Sequence, residues 1–211
     1  MIPSASAQSG ITILGRATEA EVVARFLRGE LESPRWGKRL RDLLAGQGQP
    51  QSLVTRPDLS RPNENEGREA LLDELRGWSR RQGLFLGFPE QIDWFRASLT
   101  PDQVLAIRYI NWDWWLEISG GTRLPLDAAE RIRAGEVPGS TAEEHRPIAM
   151  RLYTSAPLPE LFAVAPVDLS KLVLVEGHVR LTAYALYPEC LPDALEILLG
   201  VSDEISHWCQ F

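Results

Sequence analysis

Three strand-length apolar runs constrain this chain more than anything else in it: "ELFAVAP" (Glu160–Pro166), "KLVLVEG" (Lys171–Gly177) and "ALEILLG" (Ala194–Gly200). Each is short for a helix, and the first two have the pattern of a strand covered on both sides, the third reading as another strand. Between the second and third lies "HVRLTAYALYP" (His178–Pro188), a helix-forming segment stopped by Pro188. A strand, then a strand–turn–helix, then another strand predicts an α/β class with a mixed core.

The first 106 residues read as a helical N-terminal region, with the α/β domain over 107–211. Thr18 predicts a cap for a helix through "EAEVVARFLRG", stopping near Gly29, where Val22, Val23, Phe26 and Leu27 share one face. "WGKRLRDLLAG" repeats the pattern and ends at Gly46. The turn-rich segment Gln47–Gly67 predicts a long loop, and "REALLDELRGWSRRQG" a helix ending near Gly83. "SLTPDQVLAIRYI" has a hydroxyl cap followed by proline at the first helical position. "RYINWDWWLEISGG" (Arg108–Gly121), rich in aromatic and branched residues, predicts a strand, and "LPLDAAERIRAGEVPG" a short helix.

At 211 residues and 44% hydrophobic the chain can bury a real core. No apolar run approaches the roughly 18 residues of a membrane span. The opening "MIPSASAQSGITILG" lacks the basic and long apolar regions of a secretory signal, so a cytoplasmic address is expected. Cys190 and Cys209 form no paired motif, and His145, His178 and His207 are scattered. The net charge of −7 disfavours general nucleic-acid binding. Residues 1–61 nevertheless carry nine basic and six acidic side chains, with Arg35, Lys38, Arg39 and Arg41 in "SPRWGKRLR". A solvated helix face accounts for that run, and docking of a protein partner through the N-terminal helices is the functional alternative.

The chemistry points to one turn. A strand ending at Glu176 and a helix starting near His178 put Gly177 at the junction, where glycine accepts positive φ and lets a ligand approach the backbone. The first N–H groups of a helix lack intrahelical acceptors and lie at the positive end of its dipole, which suits a phosphate. Arg180 in the first turn can grip two phosphate oxygens, His178 can donate another bond, and Thr182 lies one turn along the same face. Basic residues there oppose the dipole, so packing alone does not account for them.

"LVLVEGHVRLTAYAL" resembles the Gly-His-x-Arg type motif of the ParB/sulfiredoxin-like superfamily. "LDAAERIRAG", "PELFAV" and "ALEILLG" are similar to the elements that flank it, over about residues 108–201. The resemblance implies a ParB/sulfiredoxin-like mixed-sheet domain with an N-terminal helical extension. It also implies a nucleotide such as ATP or CTP bound over Gly177, His178 and Arg180. The superfamily includes CTP-hydrolysing partition proteins, a free-serine kinase, sulfiredoxins and proteins labelled ParB-like nucleases. Sulfiredoxin's reactive cysteine would fall at His178, which excludes that repair chemistry, and no basic helix-turn-helix follows the motif.

"EISGGTR" (Glu117–Arg123) is a second candidate: Gly120 and Gly121 permit a tight turn, and Thr122 and Arg123 can supply phosphate donors. A plain glycine turn explains it equally. Glu176 beside the anion turn is placed to serve as base or as ligand to nucleotide-bound Mg²⁺, with Glu117 and Asp127 as other acids. Asp127 also sits where an acid simply favours a helix dipole. Two function classes follow: a nucleotide-binding enzyme that hydrolyses or transfers a phosphoryl group, with Glu176 and His178 as catalytic candidates, or a non-catalytic interaction module.

Overall fold

The computed structural model describes residues 10–151 and 160–211. Two compact units divide the described residues, one comprising 10–16, 89–151, 160–206 and 210–211 and the other 17–88 and 207–209. A boundary expected near residue 106 falls inside the first of them. The chain opens with strand β1 (Thr12–Arg16), then leaves the sheet for the second unit.

Four helices build that unit: α1 (Glu19–Glu32), α2 (Gly37–Gly46), α3 (Ser52–Thr55) and α4 (Pro62–Arg76). Thr18 caps α1 as expected, its hydroxyl accepting from Glu21 N. The helix does not stop at Gly29, which is buried inside it, but runs on to Glu32. Gln47–Gly67 is not one long loop either, because α3 interrupts it and Pro62 starts α4. Arg68, fully buried, explains how that segment is held: its guanidinium donates to Leu53 O and Asp58 O. Helix α4 ends at Gly77 rather than near Gly83, because Gly77 takes the left-handed conformation (φ 82°) and a Cβ there would lie 2.4 Å from Gln82 O. Trp78 packs edge-on to Phe85 at 4.8 Å, and Trp208 edge-on to Phe88 at 5.2 Å. Trp208 Nε1 donates to Leu84 O, which satisfies its polar atom.

The other unit continues with β2 (Asp93–Leu99), α5 (Pro101–Leu105), α6 (Asp113–Ile118), α7 (Pro125–Arg133), α8 (Ala142–Met150), β3 (Leu161–Ala165), β4 (Val173–Glu176), α9 (His178–Leu186) and β5 (Leu195–Val201). It is mixed α/β, with one five-stranded sheet in the order β1-β2-β5-β3-β4. β3 and β5 run parallel, Leu161 opposite Ile197, and the other neighbours are antiparallel. Arg108 adds an isolated parallel bridge to Val173.

Burial explains which strands were legible. Every residue of β3 and all but the last of β4 are buried, so these strands read as unbroken apolar runs. β1 lies at an edge with its residues alternately exposed and half-buried, and β2 carries Arg96 and Ser98, so neither announces itself and the region read as helical holds both. The strand expected over Arg108–Gly121 instead holds helix α6 in its middle, at Asp113–Ile118. Its aromatic residues serve helical spacing: Trp115 and Ile118 face the core, and the Ser119 hydroxyl donates back to Trp115 O at 2.6 Å. Thr100 and Gln103 form a reciprocal capping box on α5, as the sequence predicts. Helix α9 lies against α7 and α8, and its Leu181, Tyr184 and Ala185 join the main core with Leu161, Ala163, Ile197 and Leu199. No described helix is long and apolar enough to cross a membrane.

Candidate functional site

The strand β4 ends at Glu176, Gly177 turns with φ 106° and ψ 17°, and α9 begins at His178. Unlike α1, α5 and α8, capped by Thr18, Thr100 and Thr141, α9 has no side-chain cap and no acid in its first turn. Leu181 N makes the first ladder bond back to Gly177 O, at 2.8 Å. The amides of the preceding turn are the orphan donors of a helix start, and Val179 among them is 49% exposed. Arg180 folds back over the turn, with Nη2 3.2 Å from Glu160 O and 3.5 Å from Glu176 Oε1. The side chains of Arg180 and Glu176 retain 14% and 21% exposure. Arg180 Nε is buried without a partner among the described residues.

One turn further, Thr182 is fully buried. Its hydroxyl donates to His178 O at 2.9 Å, so the Tyr109 hydroxyl, 2.8 Å away, donates to Thr182. The Thr182 hydroxyl is therefore committed to the interior rather than to a ligand. The His178 ring is buried and stacks on Trp115 at 4.8 Å, and Trp115 stacks on Tyr109 at 4.8 Å. Burial raises the Tyr109 phenol well above its ordinary value, against the smaller lowering effect of the Thr182 bond, and burial pushes Tyr184 up to about 12. Both groups hold their proton more tightly folded than unfolded. Stability is therefore level below the unfolded value near 10 and falls as pH rises above it. The expected loss, followed by urea denaturation at rising pH, approaches about 1.4 kcal/mol per pH unit for each group. Tyr109→Phe should make the alkaline decline shallower, and an unchanged slope would count against the burial account.

The glycine turn is a second, self-contained structure. Gly120 and Gly121 take φ 62° and 89°, and Arg123 follows with φ 65°, uncommon for a side chain of its size. Ser119 Oγ accepts from Arg123 N, and Thr122 Oγ1 donates to Ser119 O and accepts from Leu124 N. Arg123 spreads its fork over three backbone carbonyls: Nε to Tyr109 O at 2.7 Å, Nη1 to Phe211 O at 2.7 Å and Nη2 to Gln210 O at 2.8 Å. Partial burial, then the nearby Arg108 charge, holds its pKa below the ordinary guanidinium value.

The structure thus brings Glu176, Gly177, His178 and Arg180 together at one corner, and Gly120, Gly121, Thr122 and Arg123 at another. Among the described residues no hydrogen bond or ion pair joins Arg123 to Arg180 or Glu176. Tyr109 touches both corners. Its backbone exchanges bonds with Arg123, and its side chain reaches Thr182, Trp115 and His178. Tyr109 carries no signal of its own in the sequence, where it falls within the strand expected over Arg108–Gly121.

Of the acids, Asp127 lies in the first turn of α7 and Glu117 is exposed on α6. No group of three or more His, Cys, Asp or Glu side chains that could hold a metal ion occurs among the described residues. Glu176 alone fits a Mg²⁺ only where nucleotide oxygens complete the shell, as this ion commonly allows. Comparison with protein-family models, curated proteins and solved structures returns no match for this chain.

Proposed function

We propose that the β4–α9 corner binds the phosphates of a nucleoside triphosphate, on a fold of ParB/sulfiredoxin-like type. The observation that carries this reading is the start of α9: a helix terminus with no side-chain cap behind a left-handed glycine, with Arg180 in its first turn and Val179 exposed beside a buried Gly177 and His178. The N–H groups of His178, Val179 and Arg180 supply the phosphate donors, and His178 contributes its backbone, its ring being held by Trp115. At 3.5 Å the Arg180–Glu176 pair is long, so a phosphate oxygen can replace that carboxylate as the arginine's partner at small cost. Glu176 then becomes available to Mg²⁺ carried by the nucleotide, or as a base for phosphoryl hydrolysis or transfer. Mg²⁺ would supply charge neutralisation at the phosphates, and this chain's residues would supply position.

The test is calorimetric titration of the full chain with ATP, CTP and GTP, with and without Mg²⁺. Saturable binding of at least one is expected, weakened by about 10- to 100-fold in Arg180→Ala, as loss of a charge-assisted bond implies. Arg180→Lys, which keeps the charge and loses the fork, should fall between. Binding that Arg180→Ala leaves unchanged in a folded protein removes the proposal.

A second reading, a non-catalytic interaction module, draws on α6. Trp112 and Trp114 beside and within it are 46% and 42% exposed, and tryptophan is a frequent anchor of interfaces. That module would lose its partner in Trp112→Ala/Trp114→Ala and keep it in Arg180→Ala.

A further inference from the structure

We infer that Arg108, Arg123 and Lys171 form a second anion site, separate from the α9 corner, which takes a compact, multiply charged oxyanion of the di- or triphosphate kind. A chain of contacts ties the three cations to one place. Arg108 pairs through its backbone with Leu172 and Leu174, which sets it beside the segment that carries Lys171. Lys171 Nζ lies 3.7 Å from the centre of the Phe211 ring, and Phe211 O accepts from Arg123 Nη1. Arg123 Nε in turn bonds the carbonyl of Tyr109, the residue after Arg108.

None of the three forms an ion pair with a carboxylate side chain among the described residues, whereas Arg16, Arg25, Arg61, Arg76 and Arg80 each do. Burial and the charges of Arg123 and Arg108 hold Lys171 below its ordinary value, so the neighbours acting on it repel. Collecting three cations with no side-chain counter-charge paired to them among the described residues costs free energy in a chain whose net charge is −7. Arg123 uses three of its five donors on carbonyls, which leaves donors for a ligand and fixes the guanidinium in place. Arg108 is exposed and Lys171 half-exposed, so the cluster meets solvent.

A compact anion suits this patch better than a nucleic acid. Residues 62–211 hold 23 acidic and 13 basic side chains, and a long polyanion laid over that surface would meet repulsion beyond the cluster.

The inference goes beyond the nucleotide reading and stands or falls apart from it. The full chain is titrated calorimetrically with inorganic phosphate, pyrophosphate and tripolyphosphate at low salt, as wild type, Arg108→Ala, Lys171→Ala and Arg180→Ala, each with a melting curve. Affinity should rise with the charge of the probe. Arg108→Ala and Lys171→Ala should each weaken tripolyphosphate by about tenfold or more, as loss of one charge-assisted contact implies. Their melting temperatures should hold or rise, since each removes a repelling charge, and Arg180→Ala should leave this binding intact. Tripolyphosphate binding that is absent, or equal in wild type and in Arg108→Ala/Lys171→Ala, overturns the inference. So does capture of a single-stranded oligonucleotide through these residues without tripolyphosphate binding. Loss in Arg180→Ala alone would support the α9 corner and overturn this site.

Discussion

Gly177→Ala is expected to destabilise the protein by about 3 kcal/mol, from two costs that add at one position. The backbone at Gly177 has φ 106°, a conformation L-residues rarely adopt and one that costs about 1–2 kcal/mol to impose on alanine. The new Cβ would also stand 2.5 Å from Leu161 Cδ2, the end of a side chain only 2% exposed at the head of β3, so Leu161 can give way only by repacking its buried neighbours. Overpacking of that kind costs about 1–3 kcal/mol. Loss of backbone freedom in the unfolded chain returns only about 0.4–1 kcal/mol. Urea denaturation measures the total, and combination with Leu161→Val, which shortens the clashing side chain, separates the parts. The cycle should show a coupling of about 1–3 kcal/mol. Additive effects would mean that the corner yields and the clash contributes nothing.

Arg123→Ala is expected to cost a similar amount, about 3 kcal/mol, by opening the bonds to Tyr109, Gln210 and Phe211 together. Each is a charge-assisted bond to a carbonyl, worth about 1.5–3 kcal/mol in isolation, and the half-exposed setting brings the sum down. Arg123→Lys keeps the charge but replaces a planar fork with a point donor, so it should show most of the loss. Arg123→Gly should be more stable than Arg123→Ala by about 1 kcal/mol, because φ 65° is free to glycine and strained for alanine. The ordering Arg, Gly, Ala in denaturation midpoints is the signature of a clamp built on a strained backbone. A lysine variant as stable as wild type would show that charge alone holds this corner.

The two variants also divide what the candidate residues do. Arg123 was read from the sequence as a phosphate donor, and it holds three carbonyls of its own chain. Thr182 was read as lining the same anion site, and its hydroxyl closes a buried chain from Tyr109 to His178 O. Arg180 holds Glu160 O and Glu176, and Val179 beside it is exposed while Gly177 and His178 are buried. Such assignments rest on partners far away in the sequence. Nothing local to "SGGTR" reveals Gln210 and Phe211, and nothing local to "GHVRLT" reveals Tyr109.

Features governed by neighbours in sequence were therefore legible from residues alone. Thr18 and Thr100 cap their helices because a hydroxyl reaches amides two or three residues on. Gly177 turns because a strand must give way to a helix there, and β3, β4 and β5 show themselves because burial on both faces keeps β3, the first three residues of β4 and the last five of β5 free of charged side chains. Tertiary structure alone decided the rest. It enlisted β1 and β2 from a region that reads as helical, since a half-exposed edge strand carries little apolar signal. It turned "DWWLEI" into a helix whose Trp115 stacks on Tyr109 and His178. It also chose which guanidinium serves the chain's own carbonyls and which faces a helix start. The physical reason is range: caps and turns are settled over a few bonds, whereas a cation's partner depends on which distant segments folding brings beside it.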